Sequence, residues 1–331
     1  MPCPPLIRAL GVAGRAVGPV AGLLALTGAV LTSEAVWVFG RFGGKLLDPH
    51  VTRRGTFGTD RHGSPIALGV MGDSLAVGYG ARSRANAPAA LIVAGLVEAS
   101  DRPVSVTNVA QVGADSAALL TQLATLRERT TPDVVLIMVG GNDVMHMKRL
   151  SDALWPLAAT VRSLRAGGAE VVVATCPDFG TLRPFTQPLR FVAHWYSRLL
   201  ATGQALVVLR AGGRVVSLAD TLGPLFRAHR GMFCTHDRLH PSSAGYAAAA
   251  AVLLPSIRAA AGCPLSADER VPHRVYRTGS RYRLAWWAYR SVRRAGERLT
   301  AYEKTLAPAR AQRRGAERPR RERARRTPRR A

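Results

Sequence analysis

The chain has 331 residues, 47% of them hydrophobic, and a formal charge of +25, which suits one large folded domain with appendages and enough apolar content for a core. The charge is uneven: residues 268–331 carry 21 Lys and Arg against 6 Asp and Glu, so the basic character belongs mainly to the C-terminal tail. Cys3, Cys176, Cys234 and Cys263 include no Cys-x-x-Cys pair, which indicates neither a zinc site nor a disulfide framework. Unpaired thiols are the default, and a Cys234–Cys263 bridge is the alternative.

In chain order, residues 1–40 read as an apolar membrane anchor or signal segment. Ala16 to Ser33 is uncharged, follows Arg8 and Arg15, and is long enough to cross a bilayer. A cleaved export signal with Ser33-Glu34-Ala35 as its small-residue site and a buried helix are the competing readings. Arg41, Lys45, Arg53, Arg54 and Arg61 after the segment favour a cytoplasmic carboxyl side by the positive-inside rule, which does not bind a long following domain. Residues 41–64, rich in Gly, Arg and turn formers, read as a linker.

From 65 to 265 the pattern alternates. Apolar, β-branched runs at Ile66–Met71, Val104–Val109, Val134–Val139, Val171–Thr175 and Val215–Leu218 predict strands. Helical stretches are predicted at Ala85–Ala99, Ser116–Arg129, Asp152–Arg165, Leu189–Arg210 and Ser242–Ala260. Strands this continuously apolar imply a parallel sheet covered on both faces, hence a three-layer α/β/α sandwich with a five-stranded parallel sheet.

The strand ends carry the chemistry. Gly72-Asp73-Ser74-Leu75 breaks the first apolar run, and Asp237-Arg238-Leu239-His240-Pro241 lies far downstream, so one chain supplies a serine, a histidine and a carboxylate. Ser74 needs a base to take its proton, and His240 is the natural one. Asp237, three residues earlier, can accept from the other ring nitrogen and fix the tautomer. Each motif taken singly is an ordinary turn, cap or solvated loop. The sequence Gly72-Asp73-Ser74-Leu75-Ala76 departs from Gly-x-Ser-x-Gly, and the carboxylate sits immediately before the histidine, both of which argue against the α/β-hydrolase elbow.

Taken together, four blocks resemble those of the SGNH or GDSL hydrolases: Gly72-Asp73-Ser74-Leu75, then Asn108-Val109-Ala110-Gln111-Val112-Gly113-Ala114, then Gly140-Gly141-Asn142-Asp143, and last Asp237-Arg238-Leu239-His240-Pro241. The resemblance covers roughly 65–261. It implies the family's flavodoxin-like fold, a catalytic set of Ser74, His240 and Asp237, and an oxyanion hole from the N–H groups of Ser74 and Gly113 with the side chain of Asn142. It also implies an ester hydrolase working through an acyl-serine intermediate without metal or organic cofactor. Asp73 and Asp143 read as scaffold residues. His236 and His240 are four apart, but they lack the glutamate of His-Glu-x-x-His, and Pro241 argues against a continuous helix there, so no metal site is expected.

The segment Thr175 to Leu189 should overhang the site and select substrate, with Phe179, Phe185 and Trp195 as acyl-pocket or core residues. Residues 266–331 read as a basic tail. Tyr282, Trp286, Tyr289, Val292, Leu299, Tyr302 and Leu306 form an amphipathic pattern that suits either an anionic membrane surface or docking on the domain. The Arg-rich end beyond Ala309 should be disordered. The combined expectation is a membrane-associated esterase or lipase acting on acyl esters. A carbohydrate O-deacetylase of the same family is one alternative, and a non-catalytic membrane- or nucleic-acid-binding module is the other. No nucleic-acid-binding motif is recognisable.

Overall fold

The computed structural model describes residues 28–30, 32–34, 52–233, 237–263, 291–295 and 297–300. Cys3, Cys234, His236, most of the N-terminal apolar segment and the Arg-rich end lie outside these residues. Cys176 and Cys263 are free thiols.

Six strands form one sheet: β1 (Arg54–Phe57), β2 (Ile66–Gly72), β3 (Val104–Asn108), β4 (Val134–Met138), β5 (Glu170–Ala174) and β6 (Arg214–Val216), in spatial order β1-β3-β2-β4-β5-β6. β2 to β6 run parallel, as expected from their apolar runs. β4 is buried along its whole length and β2 nearly so, as strands covered on both faces must be. β1 pairs antiparallel with β3, Arg54 opposite Thr107 and Phe57 opposite Val104. The stretch expected to be a linker therefore contributes an edge strand. Its Arg-Gly-Thr-Phe sequence is largely exposed and carries no apolar run to announce it.

The long helices fall where the sequence puts them, with ends shifted by at most three residues. In chain order they are α1 (Ser74–Val77), α2 (Pro88–Ser100), α3 (Leu119–Arg129), α4 (Gly141–Met145), α5 (Leu150–Ala166), α6 (Leu189–Arg210), α7 (Leu218–Thr221), α8 (Gly223–Ala228) and α9 (Ser243–Ala260). Local signals set their ends. Pro88 occupies the first turn of α2, and the Ser242 hydroxyl accepts from Gly245 N–H at the start of α9. α2 packs with α9 on one side of the sheet, and α3, α5 and α6 pack in a row on the other, which gives the three layers. The short helices α1, α4, α7 and α8 all lie at the carboxyl ends of strands. They are too brief to leave a periodic signature.

Two peripheral segments touch the domain. Val292, Ala295 and Leu299 are buried in its hydrophobic core, and Arg298 pairs with Asp152 of α5. For this part of the tail the docked arrangement holds, and that apolar face is occupied by protein. Near the other end, Glu34 accepts hydrogen bonds from Thr186 Oγ1 and from Leu189 N–H (3.1 Å). Among the described residues no helix is long and apolar enough to cross a membrane.

Candidate active site

The strand order reverses between β2 and β4: the chain leaves β2 for β3 on one side and returns to β4 on the other. Open α/β sheets bind ligands in the crevice at such a switch point. Ser74 follows β2 and Asn142 follows β4, so both stand at this crevice.

The turn that presents Ser74 requires glycine before it. Gly72 has φ +133°, and a Cβ there would lie 1.8 Å from the Met138 carbonyl oxygen. Beyond it the Asp73 N–H donates to Met138 O (2.9 Å) and the Asp73 carboxylate accepts from Leu75 N–H (2.9 Å), starting α1 with Ser74 as its first residue. The second Asp73 oxygen accepts from Gly141 N–H at 3.3 Å, linking the serine turn to the asparagine turn. Burial pushes the Asp73 carboxyl up to about 6, against the opposing pull of its backbone donors and of His240. Asp73 is thus a scaffold residue with a definite task.

His240 is carried by the loop before α9. Ser74 Oγ lies 2.7 Å from His240 Nε2, and His240 Nδ1 lies 2.5 Å from Asp237 Oδ2. The other Asp237 oxygen accepts from Leu239 N–H (2.9 Å) and His240 N–H (3.0 Å), folding the loop around the carboxylate with Arg238 in the left-handed region (φ +57°). Asp237 is buried, which raises its pKa, yet the hydrogen bonds and charge of His240 and the two backbone donors hold it below the ordinary value. The Tyr79 ring packs on the imidazole (centroids 4.5 Å apart), and the buried Tyr246 hydroxyl donates to Tyr79 O (2.7 Å).

The second and third blocks are tied to one another. Asn108 Oδ1 accepts from Ala110 N–H (2.9 Å), and Gln111 N–H donates to Gly72 O (3.1 Å), bending the chain across the crevice. Gly113 then takes φ +79° beside open space, a conformation other residues adopt only with strain. Asn142 Nδ2 donates one proton to Ala114 O (2.8 Å), which fixes the amide's direction and leaves its second N–H for a ligand. Asp143 accepts from Ser116 Oγ (2.7 Å) and Ser116 N–H, and Lys148 pairs with Asp115. Burial raises the Asp143 pKa, and the Ser116 bonds oppose this.

Sequence reading missed two buried glutamines. Gln122 of α3 accepts from Gly72 N–H (2.8 Å) and donates to Gly72 O (2.9 Å). Gln204 of α6 accepts from Cys176 N–H (2.7 Å) and donates to Val139 O (2.9 Å). Each satisfies backbone groups where a strand leaves the ladder. A buried polar residue on an otherwise apolar helix face was the available signal. Tyr79 and Tyr246 left no such mark.

A cavity of about 150 Å³ runs past Ser74, Asn142 and His240. One wall comes from the segment after β5, through Pro177, Asp178, Phe179, Thr181 and Leu182, as expected of Thr175–Leu189. Of the three aromatics considered for it, Phe179 lines the cavity. Phe185 lies behind it in the core, and Trp195 stands away from it with its ring edge-on to Phe191 and His194. The facing wall is Leu218, Leu222, Phe226, Phe233 and Leu239, which sequence reading did not foresee. Asp178 is held by His194 Nδ1 (2.7 Å) and Arg227 Nη1 (2.7 Å), so that one carboxylate ties this wall to α6 and α8. Burial raises the Asp178 pKa, but His194, Gly180 N–H and Arg227 outweigh it and hold it low.

Residues 70–248, more than half of the chain, match the model of the GDSL-like Lipase/Acylhydrolase family. The GDSL-like esterase Rv1075c of Mycobacterium tuberculosis is 39% identical over 194 residues, 58% of this chain, and the chain spans 62% of that relative's length. Among solved structures, TesA is 23% identical with a TM-score of 0.47, covering 59% of this chain and 99% of that one. A lipolytic G-D-S-L protein from Veillonella parvula is 16% identical with a TM-score of 0.47, covering 57% and 96%. A variant of Axe2, an acetyl-xylooligosaccharide esterase from Geobacillus, is 19% identical with a TM-score of 0.47, covering 60% and 96%.

Proposed function

The chain belongs to the GDSL-like lipase/acylhydrolase family, and from that premise we propose that it is a serine esterase with Ser74 as nucleophile, His240 as base and then acid, and Asp237 as its orienter. The observation that carries the proposal is the unbroken relay from Ser74 Oγ to His240 Nε2 (2.7 Å) and from His240 Nδ1 to Asp237 (2.5 Å). Ser74 Oγ attacks the ester carbonyl carbon while its proton passes to Nε2. The imidazolium is stabilised by the ionised Asp237. Charge gathering on the carbonyl oxygen meets the N–H groups of Ser74 and Gly113 and the remaining N–H of Asn142. Collapse breaks the ester C–O bond, and His240 returns the proton to the leaving alkoxide. Water, activated by the same nitrogen, then releases the acid and restores Ser74.

The apolar walls favour an acyl ester larger than acetate. Leu182, Leu222, Phe226 and Phe233 offer a hydrocarbon chain a dry surface and offer sugar hydroxyls few partners, so the O-deacetylase reading ranks second. The test is labelling of the purified chain by a fluorophosphonate probe, alongside Ser74→Ala and His240→Ala. Labelling of the wild type with loss in both variants is the expected result. A folded wild type that does not label, or a Ser74→Ala protein that labels equally well, refutes the assignment.

A further inference from the structure

The imidazole of His240 is held by its two nitrogens, Nε2 toward Ser74 Oγ and Nδ1 toward Asp237 Oδ2. Hydrogen bonds to ring nitrogens run in the ring plane, so these two set where the imidazole sits and only weakly resist its tilt about the line joining them. Tilt is controlled by what packs on the ring. Tyr79 packs there, with ring centroids 4.5 Å apart and planes at 53°.

Tyr79 is bound to the nucleophile as well. It lies two residues beyond α1, and its N–H donates to Ser74 O (3.0 Å), so its backbone closes the turn that carries the nucleophile while its ring meets the base. Its carbonyl accepts from the hydroxyl of Tyr246 (2.7 Å), a fully buried residue in the first turn of α9 that also lines the cavity. A second bond, from Arg82 N–H to Ser243 Oγ (3.0 Å), joins the same two segments. The Tyr246 ring packs with Ala81, Ala87 and Leu91 in a small cluster apart from the main core. The segment after the nucleophile and the helix after the base are thereby fastened together behind the imidazole.

We propose that Tyr79 is a positioning residue for the general base: its ring, anchored through its carbonyl by Tyr246, keeps the His240 imidazole aligned on Ser74 and stabilises the imidazolium that forms when the serine proton arrives. This deepens the esterase reading of the same site and rests on it. An aromatic ring attracts a cation within about 6 Å of its centroid, and His240 takes up its positive charge as Ser74 attacks. The contact therefore strengthens on the way to the transition state, and such an interaction raises kcat and leaves KM alone.

The test compares Tyr79→Leu, Tyr79→Phe and Tyr246→Phe in the full chain, all of which keep the backbone bond to Ser74, by fluorophosphonate labelling rate and by kcat and KM for a soluble short-chain ester. Tyr79→Leu should lower the labelling rate and kcat about tenfold, the scale of a cation–aromatic attraction shielded from water, with KM unchanged. Tyr79→Phe, which keeps the ring, should recover most of that loss. Tyr246→Phe should lower kcat about fivefold, the scale of one hydrogen bond; because it keeps the buried ring, it decides the matter should Tyr79→Leu not fold. In a His240→Ala background, Tyr79→Leu should change the residual turnover no further, since the group it acts through is gone. A residue that merely supported the Ser74 turn would lower that turnover again. Wild-type kcat in Tyr79→Leu or in Tyr246→Phe, equal losses in Tyr79→Leu and Tyr79→Phe, or a further drop in the His240→Ala background overturns the proposal and leaves the esterase reading intact. A folded wild type that neither labels nor hydrolyses the ester refutes the esterase reading and the positioning role with it.

Discussion

Gln122→Leu isolates what holds the nucleophile turn in place. Gln122 is 1% exposed, and its amide makes two hydrogen bonds to one peptide unit, accepting from Gly72 N–H and donating to Gly72 O. Leucine has nearly the same volume, so the cavity contribution is small and the loss is polar. Gly72 O keeps the bond from Gln111 N–H (3.1 Å), whereas the buried Gly72 N–H loses the acceptor it uses. An abandoned buried donor costs about 1–3 kcal/mol. In a domain of this size that corresponds to a melting temperature lowered by roughly 2–12 °C. Urea denaturation followed by circular dichroism should show a lower midpoint with an unchanged slope. Because Ser74 lies two residues beyond Gly72, kcat for a soluble ester should fall with KM little altered. A variant with the wild-type midpoint and wild-type kcat would refute the idea that this side chain supports the turn.

Three further outcomes are expected. Each methylene buried against Leu222 and Phe226 should contribute about 0.8 kcal/mol, so kcat/KM should rise about fourfold per carbon from acetyl upward until the cavity is full, and Leu222→Trp should shorten the best chain; a flat or falling series would favour the deacetylase reading. Asp73, raised to about 6 by burial, binds a proton in the folded state that the unfolded chain releases near the ordinary carboxyl value of 3.8. Stability from this group is complete below the unfolded value and is lost as pH rises through the folded one. Wild type should therefore exceed Asp73→Asn in stability by more at pH 4 than at pH 7, by about 3 kcal/mol at most, and an equal difference in urea denaturation at the two pH values would contradict this. Deleting residues 266–331 strips Val292, Ala295 and Leu299 from the core and, at about 1.5–3 kcal/mol for each large buried side chain, should lower the melting temperature by several degrees while soluble-ester kcat/KM at low temperature survives; an unchanged melting temperature would mean that the docked segment contributes nothing.

The sequence by itself determined the parallel strands, the long helices and the four blocks, because these rest on short-range facts. Buried strands such as Val134–Met138 must be continuously apolar, helices such as Leu189–Arg210 announce themselves over several turns, and a serine at a strand end beside an Asp-x-x-His loop restricts the chemistry to a few types. Tertiary structure alone decided the rest. The edge strand Arg54–Phe57 exists only because β3 offers it a partner. Gln122 and Gln204 matter only because the strands end where those helices pass. The cavity is assembled from segments spread along the chain from Asp73 to Ala249, so that Phe179 reaches it while Phe185 and Trp195, close to it in sequence, do not. The tail's apolar stripe has the same periodicity whether it faces lipid or protein, and only the burial of Val292, Ala295 and Leu299 shows where this part of it lies. Periodicity records that a face must be covered; what covers it depends on contacts between residues far apart in the chain.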